Sequence, residues 1–548
     1  MKRSLPLLLW FVVALHLCAL PARADEYPIK YLDKLKLTSS APAPSGDAVI
    51  VFNVYMPVAR TPGQKFPAIL MPNSWACDQY EYKIPAQAFA RQGYVVLSYS
   101  TRGWGGSTGM VEAGGKGDMA DVSHLIDWLL ANTPTDPNRI GMAGISYGAG
   151  ISLLGAAHDR RVKVVAAMSG WASLFVSLDQ NGTPSALWTK VLMLAAGVTG
   201  GKLSPFMSAY AKDAATYQIT DALRLEAEAR SPYTFLNTYN DRKVAILVSN
   251  NLQDNLFSAA DAWQFYRQLN TTKRMLLNQG QHAMAENAGL EGKPSYIWDQ
   301  VHAFLDRYLA GVPGPSLSMP TGLAFMQAYK MTNYYAIDPS NEMQVAQRAF
   351  GLGRGATPTT GVLTPPDAPA VNVSVTGGLT SATSGTPPSA ILEVLDLNNF
   401  TLPWVPIDHI DRKHAAVFLS APLASSLQLR GVPQATLTVA VSGSGSKQGN
   451  IAAQMIAYLY DVDEKGVGTL MSFGPVTLFG EPPENLVVQV PMRMTACNVD
   501  AGHRIGLVVG TEDPLYGLKA STWRHDTLTV RSQGNDGTKA VISVPVLK

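Results

Sequence analysis

Short apolar runs bounded by turn residues alternate with helical periods through the first half of the chain. Residues 49–55, 68–71, 94–99, 139–143, 162–167, 244–248 and 274–277 read as strands. Between the third and fourth of these, Met119, Val122, Leu125, Ile126 and Leu129 fall on one face of a helix over 118–131. Strands separated by helices predict a mainly parallel sheet with helices on its faces, because parallel neighbours need a long crossover. From about 174 to 242 the strand pattern stops and helix-prone runs such as 185–196 and 221–230 replace it, which reads as a helical cap inserted over the sheet. A closing helix is expected over 294–309, ending a first domain that spans 25–312.

A stretch rich in Gly, Pro, Thr and Ser follows, and 313–390 reads as linker and connecting segments. Beyond it the period is two throughout. Residues 435–441, 451–460, 486–490, 504–509, 527–530 and 540–544 read as short strands with no helix between them, so 391–548 is expected to form an all-β jelly-roll sandwich. Two domains also suit the length, since 548 residues exceed the ~250–300 at which a single core stops growing.

Lys2 and Arg3 precede an apolar run over 5–20, and Ala22-Arg23-Ala24 supplies a small-x-small cleavage pattern. The run falls short of the roughly 20 residues a spanning helix needs, so residues 1–24 read as a cleaved signal peptide rather than an anchor. The mature protein then begins at Asp25, is periplasmic or secreted, and has no stable membrane insertion. The bulky Leu17 before Cys18 argues against a lipoprotein leader. A net charge of +2 with both signs interspersed gives no reason to expect nucleic acid as a partner. The expected partner is a small-molecule ester or amide, or a short peptide; the oligomeric state stays open. Cys77 and Cys497 are too few for a disulfide framework or a cysteine metal site, and read as structural. No metal or other cofactor is expected.

A serine becomes a nucleophile when a base takes its proton, and the base needs an acid to fix its tautomer. Gly-x-Ser-x-Gly occurs at Gly105–Gly109 around Ser107 and at Gly144–Gly148 around Ser146. Only Ser146 stands between a strand and a helix-compatible run, the setting that lifts a nucleophile above the sheet edge. The segment after the strand 244–248 offers Asp254, and the one after 274–277 offers His282. The order Ser146, Asp254, His282 is that of an α/β-hydrolase triad. Acyl transfer also needs donors for the developing oxyanion. The Tyr147 backbone N–H is one expected donor; Trp75, after the strand 68–71, is the other, through backbone or indole N–H, unless it only lines the pocket.

With those residues in place, the sequence DVSHLIDWLLANTPTDPNRIGMAGISYGAG at 121–150 resembles the nucleophile region of the X-Pro dipeptidyl-peptidase and cocaine-esterase-like (CocE/NonD) family. TRGWGGSTG at 101–109 is similar to that family's Arg-Gly-x-Gly-x-Ser loop, and the stretches 416–442 and 501–514 resemble its C-terminal jelly roll. The resemblance implies a Ser-Asp-His triad, a helical cap and a galactose-binding-like sandwich, with the family's Asp-x-x-Phe pattern falling on Asp254–Phe257. Where the family tends to carry Gly-Pro-Trp-x-His, this chain has Asn278-Gln279-Gly280-Gln281-His282, which keeps the histidine and drops the Pro-Trp wall. The expected function is a serine hydrolase acting through an acyl-enzyme and esterase-like. X-Pro dipeptidyl-peptidase or α-amino acid ester hydrolase activity is the alternative within that class. An amino-terminus reader needs acidic groups in the cap, for which Asp221, Glu226 and Glu228 are the candidates, although such a run is usually a solvated face. A carbohydrate- or surface-binding protein with a vestigial hydrolase domain is the alternative outside it.

Overall fold

A computed structural model describes residues 26–217, 219–312, 322–338, 345–355, 360–364, 369–382, 401–442, 451–480, 483–516 and 527–548. Residues 1–24, read from the sequence as a signal peptide, lie outside them, as do parts of 313–390. The first part of the chain carries strands β1 (Ile29–Ser39), β2 (Ala48–Pro57), β3 (Phe66–Pro72), β4 (Val95–Tyr99), β5 (Thr135–Ile145), β6 (Val162–Met168), β7 (Asp179–Gln180), β8 (Thr183–Pro184), β9 (Ala245–Asn251), β10 (Lys273–Asn278), β11 (Ala324–Gln327) and β12 (Tyr334–Ile337). All but the β7–β8 hairpin form one sheet, in the order β1-β2-β4-β3-β5-β6-β9-β10-β11-β12. From β4 to β11 every neighbouring pair is parallel, while β1, β2 and β12 run antiparallel at the edges.

The parallel strands are apolar on both faces because helices cover both. Helices α1 (Lys83–Arg91), α2 (Lys116–Asn132) and α3 (Tyr147–His158) come first. Next follow α4 (Leu174–Leu178), α5 (Ala186–Thr199), α6 (Pro205–Thr216), α7 (Asp221–Glu228) and α8 (Leu236–Arg242), inserted between β6 and β9 with the β7–β8 hairpin. These form the cap that the loss of strand pattern predicts. Helices α9 (Ala259–Gln268), α10 (Met284–Leu290) and α11 (Tyr296–Leu305) complete the layer. On α2 the stripe Met119, Val122, Leu125, Ile126 and Leu129 is buried, each side chain of this size contributing about 1.5–3 kcal/mol by leaving water.

Three strands of this sheet escape the sequence pattern. In β1 a register shift between Leu32 and Leu35 breaks the alternation, and Lys34, at φ 50°, sits in that bulge with its N–H on Asn53 Oδ1. Strands β11 and β12 are four residues each and fall in the stretch read as linker. The boundary at 312 therefore needs correction: the sheet runs on to Ile337. The same stretch also holds strands of the second domain, Val345–Arg354, Thr360–Thr364 and Asn372–Thr376, where flanking Gly, Pro and Thr mask pairing partners up to about 200 positions away, such as Val541–Leu547.

The second domain is an all-β sandwich whose strands, 345–547, pair in one continuous network around their own apolar core. The run Val467–Phe479 is its longest described strand, yet Gly474 and Pro475 interrupt the alternation by which it could be read. Beyond its short pairing with Trp404–Pro406, this strand meets the cap: Asn181 Nδ2 donates to Pro475 O at 3.0 Å, and the Thr183 and Thr477 hydroxyls lie 2.9 Å apart. The sandwich is thus seated on the cap and on the sheet edge where the strands end. Cys77 and Cys497 are unpaired. No helix among the described residues is long and apolar enough to cross a membrane.

Candidate active site

Ser146 occupies the single residue between β5 and α3, at φ 55° and ψ −117°. A side chain held in that region stores about 1–3 kcal/mol and persists only where the surroundings enforce it. Here they do. A Cβ on Gly144 would lie 2.5 Å from the Gly148 carbonyl carbon, and one on Gly148 would lie 2.2 Å from Pro72 O. Both glycines are required by the close approach of β5, α3 and the end of β3.

The loops after β9 and β10 bring the other two expected residues to Ser146. His282 Nε2 lies 2.8 Å from Ser146 Oγ, and His282 Nδ1 lies 2.7 Å from Asp254 Oδ2. Asp254 is fully buried, and its Oδ1 accepts from the backbone N–H groups of Leu256 and Phe257 at 2.9 and 2.8 Å. That local turn leaves Oδ2 for the imidazole. From the sandwich, the buried Arg493 guanidinium donates to the Asp254 and Asn255 carbonyls and fixes the same turn from the far side. Burial alone pushes the His282 imidazole below its ordinary value, but the Asp254 charge and hydrogen bond, with the Glu286 charge added, carry it above.

The loop after β3 faces the nucleophile. Asn73 is fully buried and spans it, accepting from Thr101 N and donating to the Ser74 and Cys77 carbonyls at 2.7 and 2.8 Å. Glu81 accepts from Ser74 N and Ser74 Oγ; burial pushes its carboxyl up to about 7 against those donors. The indole N–H of Trp75 donates to Leu192 O on α5 at 3.0 Å. The expectation of an indole donor is therefore corrected, since the cap holds that N–H. The backbone N–H of Tyr147 opens α3 directly after the nucleophile, and that of Trp75 lies in the loop after β3. The Trp75 ring packs against its neighbours, with ring centroids 4.8 Å from Trp104 and 5.6 Å from Tyr147.

Although the Pro-Trp wall is missing from the sequence before His282, the imidazole is walled. Trp188 of α5 lies 5.9 Å from it and Phe257 of the acid turn 5.2 Å, both edge-on. Ser107 serves the fold instead. Its Oγ donates to Ser100 O and accepts from Val51 N, stapling the glycine loop to β2. Arg102 in that loop is buried in a two-bonded pair with Asp121. Among the other described histidines, His124, His158 and His302 meet Ser39, Phe235 and Gln92 respectively, away from Ser146. Sequence reasoning does not reach Asn73, Glu81, Glu286 or Arg493. Glu286 carries a signal, its i,i+4 spacing from His282; Arg493 carries none, lying 239 positions from Asp254.

Residues 46–284 match the model of the X-Pro dipeptidyl-peptidase (S15) family, and 339–541 match that of the X-Pro dipeptidyl-peptidase C-terminal non-catalytic domain. The chain belongs to the S15 family. Its members are serine hydrolases of this two-domain build. Solved structures with the same fold include an α-amino acid ester hydrolase, at a TM-score of 0.69 and 14% identity over 98% of this chain and 100% of that one. An aminopeptidase from a marine sediment Thaumarchaeota archaeon reaches 0.68 and 14%, over 94% and 97%. A CocE/NonD family hydrolase from Staphylococcus aureus reaches 0.65 and 12%, over 95% and 94%. A curated relative, a polyketide transferase of Penicillium crustosum, is 35% identical over 98 residues, which is 18% of this chain and 31% of that protein. The chain thus spans about a third of that relative.

Among the described residues no group of three or more His, Cys, Asp or Glu side chains is placed to hold a metal ion. A chelator such as EDTA is expected to leave turnover of this S15 chain unchanged. Loss of turnover that added zinc or calcium restores would contradict that.

Proposed function

We propose that the protein hydrolyses carboxylic esters through an acyl-enzyme on Ser146. The observation that carries the reading is the hydrogen-bonded line from Asp254 Oδ2 through His282 to Ser146 Oγ, with both links at or below 2.8 Å. In the proposed reaction Ser146 Oγ attacks the substrate carbonyl and passes its proton to His282 Nε2. The imidazolium, steadied by Asp254, then gives that proton to the leaving oxygen. Water repeats the sequence and frees the acid. The Tyr147 and Trp75 backbone N–H groups receive the oxyanion. An ester of an apolar acyl group suits these aromatic surroundings, in which Trp188 and Phe257 meet the His282 ring and Trp75 and Trp171 meet that of Tyr147. The cap carboxylates an amine reader would use face water instead: Asp221 is fully exposed, and Glu226, more than half exposed, pairs with Arg230.

A second reading, acyl groups bearing a free amine, is favoured by one residue. Asp179, on the hairpin just before the helix that carries Trp188, is buried, and its Oδ1 has no hydrogen-bond partner. Burial pushes its carboxyl up to about 6, against Arg224 at 3.9 Å. A screen of p-nitrophenyl esters, α-amino acid esters and X-Pro-nitroanilides with the purified protein decides. The ester reading expects the plain acyl esters to have the highest kcat/KM. Selective turnover of the amino substrates, lost in Asp179→Asn, would replace it with the second.

The pH profile is a further expected outcome. His282 must be neutral to accept the serine proton, and a raised imidazole stays protonated to higher pH. The acid limb of kcat/KM is therefore expected to have its midpoint above the ~6.5 of an ordinary histidine. A midpoint below that value would contradict the role given to His282. We also propose export to the periplasm or beyond, supported by the charged start, the apolar run and the Ala22-Arg23-Ala24 pattern. N-terminal sequencing of the mature protein is expected to read from Asp25.

A further inference from the structure

A second buried carboxylate lies four residues past His282, on α10. Glu286 is fully buried. Its Oε1 accepts from Ser169 Oγ at 3.1 Å and Ser249 Oγ at 2.8 Å, and its Oε2 accepts from Asn251 Nδ2 at 2.9 Å. The next layer out donates to the same two serines. Asn251 Nδ2 also donates to Ser169 Oγ, and Asn278 Nδ2 donates to Ser249 Oγ, at 2.8 and 2.9 Å. Each serine hydroxyl accepts one of these amide bonds and keeps its own proton to give to Glu286. Three donors converge on the side chain, an arrangement that suits a carboxylate.

The donors come from particular places. Ser169 follows β6, Ser249 and Asn251 end β9, and Asn278 ends β10. The Asp254 turn leaves from the end of β9 and the His282 loop from the end of β10, so one side chain ties together the points from which the acid and the base depart. Trp298 of α11 anchors it from behind, donating to the Glu286 carbonyl at 2.9 Å.

We propose that Glu286 is a positioning residue of the hydrolase, its carboxylate both locking the strand ends that carry Asp254 and His282 and stabilising the imidazolium that forms during turnover. The proposal rests on the Ser146-His282-Asp254 reading above. The groups facing the pair are few. Asp254 faces His282 from the acid turn, and Arg493 approaches from the sandwich through the Asp254 carbonyl. Tyr334 of β12 faces the network as a neutral phenol, donating to Asn278 Oδ1. Burial pushes the Glu286 carboxyl up, and the donors from Asn251, Ser249 and Ser169 oppose it. Its charge adds to that of Asp254 in raising the basicity of His282.

The test follows the rate of fluorophosphonate labelling of Ser146 against pH, with the site of the adduct checked by mass spectrometry and folding by thermal melting. In Glu286→Gln the acid-limb midpoint is expected to fall by about one pH unit, the size of a charge interaction across a partly screened site. Glu286→Asp, which keeps the charge, is expected to stay near the wild-type midpoint. A slower Glu286→Gln enzyme with an unmoved midpoint would make the residue a packing element only and overturn the proposal. If Glu286→Gln does not fold, Ser249→Ala takes its place. It removes one donor, weakens ionisation of the carboxylate and is expected to lower the midpoint by a smaller step; an unmoved midpoint there overturns the proposal equally. No adduct on wild-type Ser146 would instead overturn the triad reading, a distinct result.

Discussion

Ser146→Ala is expected to lower kcat by about 10⁶-fold, the loss seen when the nucleophile of a comparable triad is removed, while the variant still folds and binds substrate. Its Oγ is the only group of the line that forms the new bond, and removing it also relieves nothing structural, because the elbow is enforced by Gly144 and Gly148 rather than by the hydroxyl. Ser107→Ala, in the rival Gly-x-Ser-x-Gly, is expected to behave in the opposite way. It leaves Val51 N–H buried without an acceptor and takes a donor from Ser100 O, a loss of about 1–3 kcal/mol in stability, with kcat near wild type. Thermal melts and single-turnover assays on both variants separate the two effects. Equal loss of turnover in two folded variants would require another nucleophile.

The choice between those serines was legible because it depends on local order. A strand, one residue and a helix is a pattern of some fifteen positions, and the glycines that permit it are visible in the chain. Asp254 and His282 were legible for a related reason, since each stands just past an apolar run that had to be a central strand. What escaped has the opposite character. Strand β1 hides behind a bulge that shifts its alternation. Strands β11 and β12 are too short to show a period, and the sandwich strands before 390 take their stability from partners far along the chain. The site's supporting residues escaped for the same reason. Arg493 reaches the acid turn from the other domain, and Trp75 commits its indole to a cap carbonyl that no sequence period places opposite it.

Asp254→Asn is expected to cost about 10⁴-fold in kcat, the effect of the same change in a triad where it has been measured. The structure gives the reason atom by atom. Oδ1 accepts from two backbone N–H groups, so the asparagine must keep its oxygen there. Its amide nitrogen then faces His282 Nδ1, which has to become the acceptor. The imidazole proton moves to Nε2 and points at Ser146 Oγ, where a lone pair is needed. The acid-limb midpoint should also fall, because the charge that most raises the imidazole is gone. The two nearby aspartates provide controls. Asp241 is exposed and Asp241→Asn should change little. Asp261 accepts from Ser173 N at 2.7 Å, and burial pushes its carboxyl up to about 7, so the neutral Asn keeps the same acceptor and turnover should stay near wild type. If Asp254→Asn kept most of its activity while Asp261→Asn lost it, the acid would have to be reassigned to the base of the cap, with Ser146 and His282 unchanged.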